Sequence, residues 1–260
     1  MTALMLQLEG IGWWSHGVAD WTALATRLRA GEALPTATEP AAAARSRPPA
    51  AVLPPNERRR APDPVLLACE AAAQACAMAN QDAATLPCVF SSVHGDLAIT
   101  EEMCMTLARD PRELSPTRFH NSVHNAPAGY WTVATGCHAA SSAVSAWQRG
   151  FAAGLFEAAV QACADATPVL YAAYDSTVGG PLGAAVRSGP AFAVAFVLAP
   201  ARASRALATL ELRHVPGEPS AFAYSFDAAM PLLAALARGG RSSLRVASGA
   251  ASSLEIEVAA

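Results

Sequence analysis

Charged side chains are scarce in this chain of 260 residues, at 15% against 53% hydrophobic residues. That balance suits a compact globular protein with much of its surface inside or in an interface. Neither charge sign dominates: the formal net charge of −3 argues against nucleic acid as the main partner. No apolar run reaches the length of a membrane span without interruption, and no charged start leads into a long apolar stretch. A soluble, cytoplasmic protein without a signal peptide is therefore expected. The six cysteines show no paired spacing of a disulfide framework or zinc site, so reduced thiols and no metal or cofactor are expected. A Gly-x-Ser-x-Gly elbow is missing, which removes the simplest serine-nucleophile reading of Ser141-Ser142. There is also no short internal repeat.

What is present alternates between strands and helices. Residues 3–11 read as a strand and 18–31 as an amphipathic helix. Residues 35–64 hold eight of the 19 prolines and read as a surface loop, with Arg58 to Arg60 as a solvated face. Asp63 and Pro64 have the form of an N-cap and first helical position, opening a helix to Asn80. A strand is predicted at 86–91, with helices at 100–108 and 118–128. Ala128 to Thr135 reads as a buried strand, followed by a helix from His138. In that helix Ala139, Ala143, Ala146, Gly150 and Ala153 form one small-residue ridge. Gly154 ends this helix, and 157–164 reads as the next strand. Strands at 190–199 and 205–213, a helix at 227–238, and terminal strands at 242–248 and 253–258 complete the pattern. The alternation implies a layered α/β fold with helices on both sheet faces.

Cys137 is the residue with the most chemistry. A cysteine between a strand and a helix N-terminus is favoured as thiolate by orphan amides and the helix dipole. The other reading is a small buried cysteine in the core. His120 and His124 share a face if helical, a spacing that can hold a metal, yet no third ligand announces itself. Hydrogen bonding in a polar interface is the simpler role for the pair.

Around Cys137 the chain resembles the ketosynthases of the thiolase superfamily. The residues that carry the resemblance are Thr135-Gly136-Cys137, Gly154, the opening segment Met5 to Trp13 with Trp21 to Gly31, and Leu53 to Arg59. Ser115-Pro116, Asn125 to Gly129, Phe192 to Leu198 and Arg205 to Leu212 follow in the same order. The resemblance implies a thiolase-like (αβαβα) layered fold over 1–260, with a complete N-terminal half and an abbreviated C-terminal part at 215–260. It implies Cys137 at the nucleophile position. Ketosynthases also use two histidines from the C-terminal half, whereas only His138 and His214 follow Cys137 here. The resemblance therefore points to a non-catalytic subunit of the chain-length-factor type, as found beside aryl polyene synthases. Such a subunit pairs with a full-length ketosynthase as a heterodimer and serves an acyl carrier protein, for which Arg58 to Arg60 offer an alternative role. The stretch Ile99 to Leu107, with Asp110-Pro111 and Leu114-Ser115, matches the helix that lines the acyl tunnel in those subunits. Ile99, Met103 and Phe119 are the tunnel candidates this implies; ordinary core packing is the competing role for Ile99 and Met103. The alternative function is a minimal condensing enzyme or acyltransferase that carries an acyl group on Cys137.

Overall fold

The structure is a computed structural model that describes residues 3–34, 47–186, 189–201, 206–217 and 224–260. The first part of the proline-rich loop, 35–46, lies outside the described residues. The chain runs β1 (Leu4–Ser15), α1 (Trp21–Ala30), α2 (Pro55–Arg60), α3 (Asp63–Ala79), β2 (Cys88–Ser91) and α4 (Leu97–Arg109). Then come α5 (Pro116–Asn121), α6 (Ala126–Thr135), β3 (Ser141–Val144), α7 (Gly150–Asp165), β4 (Val169–Asp175) and α8 (Gly180–Ala185). The last elements are β5 (Phe192–Pro200), β6 (Ala208–Pro216), α9 (Ser225–Arg238), β7 (Arg241–Gly249) and β8 (Ser252–Ala259).

These strands form one eight-stranded sheet in the order β3-β2-β4-β5-β1-β6-β8-β7. The three strands at one end, β3, β2 and β4, are parallel to one another, and all other pairs are antiparallel. α3 and α6 cover one face, where Trp14, Phe90, Trp131 and Tyr174 belong to one core cluster. α7, α9 and α1 cover the other, over Trp13, Phe151, Phe196 and Ile256. The described residues form three layers, with all eight strands hydrogen-bonded into one sheet where the αβαβα arrangement has two. The layered, thiolase-like α/β fold is as expected.

Two close approaches set the layer spacing. A Cβ at Gly12 of β1 would lie 1.9 Å from the Ala71 carbonyl oxygen, so α3 rests directly on the strand backbone. At Gly154 a Cβ would come within 2.6 Å of the Tyr171 ring. Gly154 therefore stands inside α7 and does not end it. Nearby, the Tyr171 hydroxyl donates to Phe151 O at 2.7 Å and pairs with Ser91 Oγ at 2.9 Å, which binds α7 to the sheet.

Four readings change type. Residues 128–135 are helical, with Pro127 in the first turn, Gly136 in the left-handed C-cap (φ 67°), and Trp131 packed on Phe90 at 6.5 Å. The segment after Cys137 is a strand, because Ser141 to Val144 pair with Cys88 to Ser91 in parallel register. Residues 157–164 belong to α7, and 169–175, unassigned from sequence, form β4. The ridge Ala139 to Ala153 is divided among a loop, a strand and a helix.

Candidate functional site

Three parallel strands end side by side, and in open α/β sheets such carboxyl ends form the crevice where ligands bind. After β2 come Ser92, Val93 and His94; after β3 come Ser145, Ala146 and Trp147; β4 ends on Asp175. α7 opens at the same rim, with no side-chain cap on its first turn. This strand–turn–helix elbow is the context expected for Cys137. Its turn holds Trp147 instead.

Trp147 has φ 51°, in the left-handed region that bulky residues avoid. The turn around it is pinned: Ser145 Oγ donates to Val93 O (3.0 Å), Arg149 N–H to Ala146 O (3.0 Å), and Gly150 N–H to Trp147 O (3.1 Å). The indole meets His94 edge-on, with centroids 5.1 Å apart, and remains 54% exposed. Beneath the rim Asp175 Oδ1 accepts from Ser92 Oγ (2.9 Å) and Val93 N–H (2.8 Å). Asp175 Oδ2 is shut off from solvent; Ser225 Oγ of α9 is the hydroxyl nearest in role, yet neither atom closes a hydrogen bond of good geometry. Burial pushes the Asp175 carboxyl up to about 6, against the partial relief of those donors and of His124. The space left between Val93, His94, Asp175, Val178 and Tyr224 is about 20 Å³, room for about one water.

Cys137 lies elsewhere. It follows the C-terminal cap of α6, with its N–H on Thr132 O (2.9 Å) and its thiol donating to Leu86 O at 3.4 Å. It is buried, just past the C-terminal cap of α6. Its neighbours Cys76 and Cys88 are pushed up to about 12 by burial. His138, the next residue, is exposed.

The histidine pair is also separated. α5 ends at Asn121, so His120 packs near the Tyr130 ring at 6.4 Å, while His124 Nε2 lies 3.1 Å from Ser92 O. No cluster of three metal-ligating side chains occurs among the described residues.

The tunnel candidates do not share one cavity. Ile99 is buried in α4 and lines a polar cleft of about 540 Å³ with Arg60, Asp63, Asp96 and Arg118. Met103 is half-buried on the same helix, and Phe119 of α5 is 58% exposed. The larger apolar groove, about 620 Å³, runs between α2 and α5–α6 over Leu53, Pro54, Pro116, Val123, Tyr130 and Val133. Val133 on its rim is 80% exposed. Sequence reasoning missed Trp147, Asp175 and this groove.

A sheet between two helical layers, with a small-residue helix buried behind a strand–turn–helix elbow, makes a layered, thiolase-like α/β fold. Residues 33–252 match the family described as beta-ketoacyl synthase, N-terminal domain, and the chain belongs to that family. Among solved structures it is similar to the ketosynthase ApeO in complex with its chain length factor ApeC from Xenorhabdus doucetiae. That match has 23% identity and a TM-score of 0.71, over 97% of this chain and 99% of the other. The ishigamide ketosynthase/chain length factor matches at 13% identity and TM-score 0.73, over 98% and 99%. A type II polyketide synthase acyl-carrier protein in complex with its ketosynthase, AntDE:AntF, matches at 11% and 0.75 over the whole of both chains. At these identities the likeness establishes the fold. A comparison with curated proteins found no match.

Proposed function

We propose that this protein is a non-catalytic, chain-length-factor-like subunit that pairs with a ketosynthase in type II, polyketide-like biosynthesis, with an aryl polyene as the product class. The observation that carries the reading is the elbow, which bears an indole where a condensing enzyme needs a nucleophile, beside a pocket with room for about one water. Cys137, buried past the C-terminal cap of α6 and away from the elbow, serves packing, which weighs against the minimal-synthase alternative. Two of the solved structures sharing this fold are ketosynthase and chain length factor pairs, which supports the same class of partner.

Pairing is supported by an open edge and an apolar face that adjoin. β3 is the terminal strand, and Ala140, Ser142 and Val144 turn their peptide groups to β2: Cys88 N–H donates to Ala140 O at 2.9 Å and Ser92 N–H to Val144 O at 3.4 Å. In a parallel strand the alternate groups, at Ser141 and Ala143, face outward. α6 packs beside β2 and β3, and its neighbour α5 adds Phe119 to the exposed apolar side chains Val123 and Val133. In this reading Ile99, Met103 and Phe119 are the chain's share of a tunnel wall that the ketosynthase completes, and an acyl carrier protein delivers the chain. Residues 1–260 act as one domain in the cytoplasm; among the described residues no helix is long and apolar enough to cross a membrane.

The test is coexpression with the ketosynthase encoded beside it, followed by size exclusion and mass measurement. A stable 1:1 complex is expected. A well-behaved monomer that binds no ketosynthase from its gene neighbourhood overturns the reading.

A further inference from the structure

Trp147 combines three properties that rarely meet. It is a large aromatic in a left-handed backbone conformation, it leaves more than half its surface in solvent, and its ring meets His94 edge-on. Backbone strain of this kind persists only where the surroundings over-determine it, and the three hydrogen bonds of the turn do so here. Strain spent to present an apolar ring to water stabilises nothing inside the isolated chain. A glycine at this position would take the same φ without cost.

The position of the ring supplies the reason. Trp147 follows the open edge of β3 by three residues, beyond the outward-facing peptide groups of Ser141 and Ala143. An edge of unpaired peptide groups is complemented by an extended segment of another chain, which runs along it and past its end. A rigid aromatic held there loses little side-chain freedom on binding, the property that makes Trp a frequent anchor in interfaces. We propose that Trp147 is the anchor of the pairing surface, its indole entering an apolar recess of the ketosynthase beside the segment that pairs with β3. This inference rests on the function proposed above and names the residue on which that pairing depends.

Ring and backbone are separable by substitution. Trp147→Ala removes the indole and keeps the strained φ; Trp147→Gly removes the indole and relieves the strain. Each variant is titrated by calorimetry against the ketosynthase that co-purifies with the wild-type chain, and melted alone. Both are expected to weaken binding by roughly thirtyfold or more, by similar factors, while the glycine variant melts at a higher temperature than the alanine variant. Trp147→Phe, which keeps a ring, is expected to retain most of the affinity. Binding of Trp147→Ala within twofold of wild type overturns the anchor and leaves the proposed function standing. Affinities that follow the melting temperatures of the variants show a structural role and also overturn it. A wild-type chain that binds no ketosynthase removes both.

Discussion

The two ends of the sheet are built on different plans. At one end β3, β2 and β4 run parallel, helices cover both faces, and the terminal strand is four residues without a charge. At the other, β6, β8 and β7 are antiparallel and alternate: Leu210, Leu212, Leu254 and Ile256 point into the core, while Glu211, Arg213, Glu255 and Glu257 occupy the opposite face. Arg213 pairs with Glu211 there, and Arg245 with Glu255 at 2.8 Å. The terminal strand β7 carries Arg241 and Arg245, the kind of charge that keeps an edge from pairing with another chain. Among the described residues the sheet is closed to extension at β7 and open to it at β3. The open end also holds the elbow and the buried carboxylate, so the features that do not serve stability collect where a partner is proposed to sit.

The contrast is broken most sharply by proline. Ala143→Pro removes an outward amide of β3 and leaves its ladder with β2 intact, since proline is tolerated where the N–H faces away from the sheet. We expect roughly a hundredfold weaker ketosynthase binding, about 2.8 kcal/mol, read by titration. On β7 the Gly240–Ala260 pair exchanges both hydrogen bonds, so by alternation Ser243 faces outward. Ser243→Pro is the matched control, expected to leave binding unchanged. Equal losses at both edges would end the comparison.

Asp175 sharpens it from the side of stability. Its carboxyl stands at about 6 in the fold against an ordinary 3.8, raised by burial, so the fold penalises the charged form. The penalty is complete above pH 6, shrinks as pH falls through that value, and is gone below about 4. Asp175→Asn keeps an acceptor for Ser92 and Val93, and places a donor toward Ser225. Urea unfolding should show the variant more stable by roughly 2 kcal/mol at pH 8, with the gap closing toward pH 4. A variant less stable at pH 8 would mean that the carboxylate charge supports the crevice.

The smallest effect is expected at Cys137. Cys137→Ala should cost about 1 kcal/mol of stability and leave condensation by the assembled complex within about twofold. A hundredfold loss at equal assembly, about 2.7 kcal/mol of barrier, would return a chemical role to the thiol.

Legibility in the sequence follows the same division. β6, β7 and β8 have one wet face, and their period-two alternation could be read directly. β4, Val169 to Asp175, is covered on both faces and shows no alternation, so nothing marked it as a strand. α6 and the latter part of α7 are runs of Ala, Gly and aromatic residues. Their helical character rests on caps at Pro127 and Gly136 and on packing against Phe90 and Tyr171, and local pattern assigned them to strands. α3 was legible because Asp63-Pro64 is a local start signal. The site was displaced for a related reason. A search for a nucleophile settled on Cys137, whereas the elbow is marked by backbone: Ser-Ala-Val-Ser ahead of Gly150, Gly154, Ala158 and Ala162 spaced four apart.

β1 lies inside the sheet, with Leu6 opposite Pro200 on one side and Leu210 on the other. Both neighbours are synthesised nearly two hundred residues later. At ribosomal rates of about 5–20 residues per second, the strand waits roughly ten to forty seconds for a partner. During that interval Leu6, Leu8, Ile11 and Trp13 have no sheet to enter, and contacts so distant in sequence also form slowly once the chain is free. Yield in the cell should therefore depend on holdase chaperones and on translation speed as much as on the stability of the finished fold.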